Sequence, residues 1–521
     1  MSAPQPSSPE SYFEARRRDG HIIVGGLNEA FFGHRIERSG EPPTGNWAEW
    51  RWDGERLVVR NDPFGVQPVY YWATPTGVAV SPSVDRLLGL GAPRELDHDA
   101  VSAFLGVGYY VDQDTPFRAI RSLPWGGSLT WRPGELSVAG GPRPFTTGPI
   151  SHAAAIDGII HTVRTAVQRS IPSHRPDYIM PISGGRDSRH LLLELRAQGH
   201  PPRSCVTVRQ YPNLPGGPDA RFAARLCATL GLEHHALDVP GPMVGAERRK
   251  NRVTGYCSDE HTWSLSLAGA LEGRTGHTYD GLPGGTLLQR PSERASAREA
   301  LEAGRLDELA ETHLKTEDGQ VRFVSLLNPA TRGRLSPERA AARLRAGMDI
   351  HLSSANPLLA FRFWNRVVRE LALVPTRVLS GVPIVFTPFM DAEFIDFAAA
   401  LPSSIVGKEL HSEAIAGAFP EAAGVPFAHS GPPRITRAFA RRVNRDLAVL
   451  LLRTSDGSLV DRKGLLRRAL RGMLTGDDWL VRGRRPALVA YLIQLEALVR
   501  TGPSDLDRGS TRGRSRPDEQ F

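Results

Sequence analysis

The chain has very little cysteine and no long apolar run. Its 521 residues include only Cys205, Cys227 and Cys257, whose spacing fits neither a disulfide framework nor a structural zinc site. No apolar stretch reaches the length of a membrane span, and the polar start MSAPQPSSPES lacks the apolar core of a signal peptide. We therefore expect a cytoplasmic protein with reduced thiols and no membrane association.

The composition is that of a globular protein, with 40% hydrophobic and 23% charged residues, and its length predicts at least two domains. The net charge of +8 comes mainly from arginines in 437–445 and 462–471. Apolar residues alternate with these charges, which predicts amphipathic helices with solvated outer faces. No aromatic platform accompanies the charge, so a nucleic-acid partner is not expected. The composition of Thr501–Phe521 predicts a disordered tail.

One glycine-containing turn carries the strongest chemical signal. It reads Ser-Gly-Gly-Arg-Asp-Ser over 183–188, after a strand-like run at 177–182 and before a helical apolar face that ends near Gly199. Such a turn places backbone N–H groups at a helix N-terminus, where the helix dipole favours an anion. Ser183 and Ser188 add hydroxyl groups, and Asp187 is suited to hold a divalent cation against the same anion.

The surroundings of this turn predict a parallel sheet. No Gly-Lys-Ser/Thr follows the glycines, which excludes a Walker A loop. A second strand is predicted at Ser204–Val208, an amphipathic helix at Pro218–Leu230 and a third strand at His235–Val239. Strands that alternate with helices in this way form parallel sheets, whose ligands bind at the carboxyl ends of the strands.

Three segments together resemble the asparagine synthetase family. The 183–188 turn resembles the SGGxDS pyrophosphate loop of ATP pyrophosphatases, and residues 60–71, RNDPFGVQPVYY, resemble a segment of class II amidotransferase glutaminase domains. Thr387-Pro-Phe-Met-Asp391 resembles the PFLD signature of asparagine synthetases. The resemblance implies an α/β protein with a degenerate αββα Ntn-hydrolase-like domain over 1–145. It also implies a parallel-sheet PP-loop ligase domain with added helices over 150–500, and Pro142–Pro149 is the expected linker.

Departures from the family pattern narrow the activity. Class II amidotransferases hydrolyse glutamine with an N-terminal cysteine, but position 2 is Ser2 and no cysteine precedes Cys205. A serine lacks the thiolate character of that nucleophile, so no glutaminase activity is expected. The family's acidic pair in SGxGxDE is replaced within Asp280–Leu287, where Gly285 stands at the metal Asp and Thr286 at the Glu. Through space, Asp280, Asp259 and Glu260 are candidates to compensate.

The resemblance also assigns site residues. ATP and Mg²⁺ are the expected cofactors, with Asp187 as the metal ligand and Lys408 as the catalytic lysine, three residues from the expected position near His411. His411 is expected to be an exposed histidine, and His234, His235 and His261 have no ligand-like partners nearby in sequence, which argues against a metal there. The residues expected to bind the nucleotide are Ser183, Gly184, Gly185, Asp187, Ser188, Asp280 and Gly281.

Asparagine synthetases carry an SLExRxPFLD run, but residues 383–391 here read PIVFTPFMD, without the Glu and the Arg. Together with the lost glutaminase, this alteration indicates a nucleophile other than ammonia. β-Lactam synthetases and lasso peptide cyclases are relatives of this kind, and they imply an ATP-dependent amide ligase, with a peptide macrolactam synthetase as the specific hypothesis. The substrate would be a peptide or small molecule carrying a carboxylate and an amine, and a precursor-processing protein is a candidate partner. Three alternatives stay open: an ammonia-dependent asparagine synthetase, a secondary-metabolite amide ligase and a catalytically inactive scaffold.

Overall fold

The computed structural model describes residues 8, 10–37, 40, 43–174, 176–209, 218–239, 241–289, 299–301, 303–316, 323–428, 435–454 and 459–500. The predicted disordered tail, 501–521, lies outside these residues. The fold is mixed α/β with several sheets, and some of them are parallel, as predicted. Within the described part, no helix has both the length and the apolar character that a membrane crossing requires. Cys205, Cys227 and Cys257 are free and buried, so they form no disulfide with one another.

Two antiparallel sheets of five strands form the N-terminal sandwich, residues 13–139. The first has the order β2-β1-β7-β6-β8, and the second has the order β10-β9-β5-β4-β3. Alternating apolar residues such as Phe13, Trp50 and Trp131 pack between the sheets. The strands are β1 (Phe13–Arg18), β2 (His21–Gly26), β3 (Glu29–Gly33), β4 (Trp47–Trp52), β5 (Leu57–Asn61), β6 (Tyr70–Thr74), β7 (Gly77–Ser81), β8 (Arg121–Ser122), β9 (Ser128–Arg132) and β10 (Glu135–Ala139).

Two helices accompany the sandwich. Helix α1 (Val84–Gly89) packs on β6 and β7, and helix α2 (His98–Val107) packs against a helix of the C-terminal half, Pro337–Asp349. Asp97 caps α2 at its start, and Gly108 ends it with φ +92°. Helix α1 lies on the first of the two sheets, and the αββα Ntn-hydrolase-like arrangement stays a prediction.

A parallel sheet organises the C-terminal half. Strands β11 (Ile179–Pro181), β12 (Ser204–Arg209) and β13 (Glu233–Asp238) pair in parallel. Strands β14 (His277–Tyr279) and β15 (Ile384–Phe386) form a second parallel pair. The hydroxyl of Thr278 donates to the carbonyl of Ile179 at 2.8 Å, which ties β14 to β11. The second strand is confirmed, and the third begins two residues earlier than predicted.

Helices cover this sheet and form a lobe beside it. The predicted helices at 187–197 and 218–229 are confirmed, and Gly199 and Gly231 follow them with φ of +72° and +69°. Residues Arg362–Leu371 form a π-helix. The helices are α3 (His152–Ser170), α4 (Asp187–Ala197), α5 (Pro218–Thr229), α6 (Met243–Val253), α7 (Ser264–Leu271), α8 (Gly284–Leu288), α9 (Leu306–Thr316), α10 (Pro329–Arg332), α11 (Pro337–Asp349), α12 (Pro357–Phe361), α13 (Ala392–Ala400), α14 (Lys408–Ala418), α15 (Arg437–Leu452), α16 (Arg462–Thr475) and α17 (Arg485–Arg500).

The two halves share a hydrophobic core. Phe104 stacks between Tyr110 and Tyr491, with ring centroids 4.8 Å and 4.4 Å away, and the two tyrosine hydroxyls lie 2.6 Å apart. Arg484 donates to the carbonyls of Phe104 and Gly106 at the end of α2. Because residues from both halves are buried in one apolar cluster, the N-terminal sandwich is packed firmly onto the helices that follow the parallel sheet.

Candidate functional site

The Ser183–Ser188 turn lies at the carboxyl end of β11 and leads directly into α4. Its two serines brace it from inside: the Ser183 N–H donates to the Ser188 Oγ at 3.0 Å, and the two hydroxyl oxygens are 3.0 Å apart. The Gly185 N–H donates to the Ser183 Oγ at 3.1 Å. The motif therefore encodes a rigid turn, and each serine hydroxyl contributes to the turn itself.

Gly184 is enclosed by two other segments. Its N–H donates to the Asp219 Oδ1 at 2.9 Å, and its carbonyl accepts from the Ala428 N–H at 2.8 Å. A Cβ at this position would lie 2.8 Å from the Ala428 Cβ and 2.9 Å from the Asp219 carbonyl oxygen, so only glycine fits. The amide predicted to bind a phosphate thus binds the Asp219 carboxylate, and burial raises the pKa of that carboxyl.

Asp187 stands at the first turn of α4 and is the centre of the site. Its Oδ1 accepts from the Gln289 Nε2 at 2.9 Å, and it also accepts from the Gly285 N–H. The side chain is 28% exposed, which leaves room for a ligand. Loss of hydration, helped by the nearby charge of Asp280, raises the pKa of Asp187 to about 7, against the lowering effects of the two donors and of the Arg186 charge.

The glycines of the Asp280–Leu287 segment are pressed against Asp187. A Cβ on Gly281 would lie 3.0 Å from the Asp187 Cβ, and one on Gly284 would lie 2.9 Å from its Cγ. A Cβ on Gly285 would lie 3.0 Å from the Asp187 Oδ2. The structure therefore brings together the two loops that were assigned to the nucleotide, and a carboxylate at position 285 would be a direct neighbour of Asp187.

Asp187 and Asp280 are the carboxyls at this point that could hold a divalent cation. Mg²⁺ in phosphate sites is held by one or two carboxylates, with phosphate oxygens and water completing its shell. Asp187 and Asp280 supply two carboxyls whose pKa values are both raised by burial, so a cation between them would offset the cost of their charge. Asp280 also accepts from the Leu282 N–H at 2.9 Å, which fixes its orientation.

The burial of His411 differs from the prediction. It was predicted to be exposed, but it is fully buried because α14 packs against α3 and α8 and turns this side chain inward. Its Nδ1 lies 3.7 Å from the Asp187 Oδ1, and its Nε2 lies 3.2 Å from the Nδ1 of His190. Burial and the neighbouring His190 hold the pKa of His411 well below its usual range, so a neutral imidazole supports the Asp187 carboxyl.

Lys408 is the first residue of α14, three positions before His411 on the same helix. Its side chain is outside the described part of the structure, so its catalytic role stays a prediction. The helix that carries it does contact the site, because His411 approaches Asp187 and the Ser412 Oγ accepts from the Nε of Arg186 at 2.7 Å. Arg186 and Arg189 also lie over the ring of Phe427, with distances of 4.4 Å and 4.0 Å to its centroid.

Of the proposed compensating acids, only Asp280 acts on Asp187. Asp259 pairs with Arg484, and Glu260 pairs with Arg366 at 3.1 Å. These two acids lie in the loop before α7, and each is neutralised by an arginine from the helical lobe.

The expectation that His261 lacks ligand partners is wrong, because Glu260 directly precedes it and the fold adds Glu370. Possible ligand atoms of Glu260, His261 and Glu370 all lie within 4.8 Å of one another. Glu370 also accepts from the Ser258 hydroxyl at 2.6 Å. No local spacing reveals this group, because Glu370 comes from the π-helix more than a hundred positions later in the chain. His234 contacts the hydroxyl of Thr207 at 2.9 Å, and His235 pairs with Glu233.

Asp391, in the Thr387–Asp391 segment, has a structural role. Its Oδ1 caps α13 by accepting from the Glu393 and Phe394 N–H groups, and Arg169 donates to the same carboxylate at 3.1 Å. Phe389 is buried against His190 and lies beside Gly284. This segment therefore packs against the loops of the site and supports them.

Two functional neighbours were missed by sequence reasoning. Gln289 donates a hydrogen bond to Asp187 directly, and His190 supports Asp187 through its contact with His411. His190 had a signal, since it follows Asp187 by three positions and so shares a helix face with it. No family model matches the chain, and its sequence matches no curated protein. The argument for function therefore depends on the geometry above.

Proposed function

We propose that this protein is an ATP-dependent, AMP-forming carbon–nitrogen ligase, and that its specific form is a peptide macrolactam synthetase of the lasso cyclase type. One observation carries the proposal: Asp187, at the carboxyl end of a parallel strand and the start of α4, is ringed by the glycines of the Asp280 loop. In this proposal the parallel sheet is a PP-loop domain, and the N-terminal sandwich is a degenerate Ntn-hydrolase-like domain.

The nucleotide would bind where three favourable features meet. The start of α4 carries the positive end of a helix dipole, the Gly185 backbone is exposed enough to approach phosphate, and Asp187 with Asp280 would hold Mg²⁺. Bound Mg²⁺ would neutralise phosphate charge and make pyrophosphate a better leaving group. The neutral His411 and the Gln289 amide would keep the Asp187 carboxyl in a fixed orientation.

The reaction has two steps. A carboxylate oxygen of the substrate attacks the α-phosphorus of ATP, and the bond to pyrophosphate breaks, which gives an acyl adenylate. An amine of the same substrate then attacks the acyl carbon, the bond to AMP breaks, and the amine loses a proton as the amide forms. Holding both ends of one substrate in a single enclosed site supplies much of the rate gain. Lys408, at the start of α14, would stabilise the developing negative charge.

Ser2 in place of the nucleophilic cysteine favours a substrate amine over ammonia as the acceptor. The segment Pro383–Asp391 lacks the Glu and Arg that the family uses for aspartate, and this disfavours an asparagine synthetase. A ligase that joins two separate small molecules in secondary metabolism remains the nearest alternative. Isolation of a product closed within one molecule, rather than one built from two molecules, would separate the two activities.

A catalytically inactive scaffold is the second candidate. Two observations favour it: the Gly184 amide is occupied by the Asp219 carboxylate, and Gly285 lacks the family's metal-binding acid. The intact Asp187 network opposes it, because a buried carboxyl with a raised pKa costs stability unless a ligand uses it. We therefore rank the ligase first.

Calorimetric titration of ATP, with and without Mg²⁺, tests the proposal. We expect magnesium-dependent binding by the wild-type chain and loss of that binding in Asp187→Asn. Asp177→Asn is the matched control, because Asp177 is an exposed aspartate just before the start of the same strand. If the wild-type chain binds no ATP in either condition, the scaffold replaces the ligase. If Asp187→Asn binds as the wild type does, the nucleotide does not use this site.

A further inference from the structure

A group of possible metal ligands lies outside the candidate site, where the loop before α7 meets the π-helix. Glu260 and His261 come from the loop, and Glu370 comes from the π-helix Arg362–Leu371. One ligand atom of each side chain lies within 4.8 Å of the other two. Segments of π-helix are rare and are frequently found at functional sites. The chemistry proposed above uses none of these three side chains.

The buried charge of Glu370 is the observation that points to a cation. Its side chain is 2% exposed, and among the described residues no lysine or arginine nitrogen lies within 4.0 Å of its carboxylate. Its polar contacts are the Ser258 hydroxyl, which donates at 2.6 Å, and the His261 imidazole. A carboxylate that is removed from water is costly unless it is paired with a positive charge or binds a metal ion. Glu370 therefore favours a cation at this point.

His261 directs a nitrogen atom toward the same point. Its Nδ1 is buried and lies 3.4 Å from the Glu370 Oε1, but it makes no hydrogen bond within the described part of the chain. Burial alone would lower the pKa of His261, but Glu370 and Glu260 raise it above its usual value, so the carboxylates favour positive charge here. A divalent ion supplies that charge and also binds the Nδ1 lone pair, as metals do in other imidazole sites.

Glu260 completes the group from the solvent side. Its side chain is 46% exposed, which gives a metal ion a path of entry. Arg366 donates to both of its carboxylate oxygens, at 3.1 Å and 3.3 Å. Each of these oxygens has a second lone pair, so Glu260 can still bind a metal. Hydrogen bonds of this kind orient metal-binding side chains, and Ser258 orients Glu370 in the same way.

The types of ligand indicate which metal fits. An imidazole nitrogen suits Zn²⁺ and its first-row neighbours, whereas Mg²⁺ and Ca²⁺ prefer oxygen ligands. Zn²⁺ binds histidine nitrogen and carboxylate oxygen at about 2.0–2.2 Å, so two of its ligand atoms lie at most about 4.4 Å apart. The three side chains are within 4.8 Å of one another, and the exposed Glu260 can rotate to close the small difference.

We propose that Glu260, His261 and Glu370 bind a divalent first-row metal ion, with Zn²⁺ as the best fit. This site is separate from the Mg²⁺ site proposed at Asp187, and it does not depend on the ligase activity. Because its ligands come from the loop before α7 and from the π-helix, the ion fastens that loop to the helical lobe. Burial raises the pKa of Asp280 and the charge of His261 lowers it, so the ion also acts on the neighbouring candidate site.

The test measures binding of Zn²⁺ and Co²⁺, each added alone, to the full chain. Calorimetry gives the affinity and the stoichiometry for Zn²⁺, and the visible spectrum of bound Co²⁺ reports its coordination. The test variants are His261→Ala and Glu370→Gln. His235→Ala is the matched control, because His235 also lies beside a glutamate, Glu233 at 3.1 Å, but on an exposed strand. Asp187→Asn separates this site from the one proposed for Mg²⁺.

We expect one Zn²⁺ per wild-type chain and an affinity about 100-fold lower in His261→Ala and Glu370→Gln, at least the loss that follows removal of a group that orients a ligand. His235→Ala and Asp187→Asn should bind Zn²⁺ as the wild type does. Thermal unfolding without metal shows which variants are folded, and His261→Ala decides the result if Glu370→Gln is not. The proposal fails if the wild type binds no Zn²⁺, if the folded test variants bind it normally, or if His235→Ala loses as much affinity as His261→Ala.

Discussion

Two aspartates in glycine-containing loops, Asp62 and Asp187, differ in how far their carboxylates are used by the protein itself. Asp62 is 1% exposed, and its carboxylate accepts from the N–H groups of Phe64, Val66 and Gln67. Asp187 accepts from one side-chain amide and one backbone N–H, and it is 28% exposed. Burial raises the pKa of both, to about 6 and about 7. The first carboxylate is fully used by its own loop, whereas the second has capacity left for a ligand.

This difference separates structural from functional motifs. Both loops were identified by resemblance to the same family, and both contain an aspartate next to turn residues. Only the number of internal donors and the exposure distinguish them, and neither quantity is visible in the sequence. A buried carboxylate whose acceptor sites are filled holds a turn, and one with unfilled acceptor sites at a sheet edge is a candidate for chemistry.

The largest effect is expected for Asp62→Ala. Removing this carboxylate leaves three buried N–H groups without an acceptor, and we expect the free energy of unfolding to fall by about 3 kcal/mol. Urea denaturation followed by tryptophan fluorescence measures the loss. Asp53→Ala is the control, because Asp53 also accepts from two backbone N–H groups but in an exposed turn. Equal losses in the two variants would contradict the structural role assigned to Asp62.

Asp187→Asn should show the reverse pattern. Magnesium-dependent ATP affinity should fall by about 100-fold, equivalent to about 2.7 kcal/mol. The unfolding free energy should stay within about 1 kcal/mol of the wild type, because the amide has the same shape and removes a carboxylate whose pKa burial has raised. The same urea titration, run beside calorimetry, measures both quantities. A large loss of stability would make Asp187 a second structural aspartate.

Low pH should destabilise the fold through His190, which contacts His411 behind Asp187. Burial lowers the pKa of His190 to about 3, whereas the unfolded chain binds this proton near pH 6.5. Its contribution to stability is therefore complete above pH 6.5 and is lost as the pH falls toward 3. Between pH 6.5 and pH 5 this single group should cost about 2 kcal/mol. Urea titrations at both pH values should show that His190→Phe loses less unfolding free energy on acidification than the wild type. Equal losses in the two proteins would refute the assignment.

The smallest effect is expected for Gly285→Asp, which restores the acid expected from the family. Its Cβ would lie 3.0 Å from the Asp187 Oδ2, so repulsion should lower stability by about 1 kcal/mol without metal. Excess Mg²⁺ should reverse this loss in thermal unfolding. Gly424→Asp is the control, since no heavy atom lies within 4 Å of a Cβ at that position. If Mg²⁺ does not restore the thermal stability of Gly285→Asp, the metal binds elsewhere.

Much of the parallel sheet was predictable because its signals are local. Apolar runs and the glycines after α4 and α5 each act within a few residues of the helix or strand that they define. The bounds of β13 were less certain, because its side chains alternate between half-buried and exposed and so give a weak apolar signal. The prediction of a parallel sheet with its polar turn at the carboxyl end is confirmed.

The rest of the site was not predictable, because it depends on contacts between distant segments. Gln289 reaches Asp187 across 102 positions, and His411 is buried only because α14 packs against α3 and α8. The partnership of His261 with Glu370 likewise requires the π-helix to lie beside the loop before α7. A single sequence specifies such pairs only through the complete fold, so the expectation of an exposed His411 was wrong.

The stacked rings of Phe104, Tyr110 and Tyr491 make the stability of each half depend on the other. A gene that encoded only residues 150–500 would make a chain whose helix α17 presents an uncovered aromatic face, and such a face favours aggregation. The N-terminal half is therefore needed to keep this face of α17 covered, whatever other role it has.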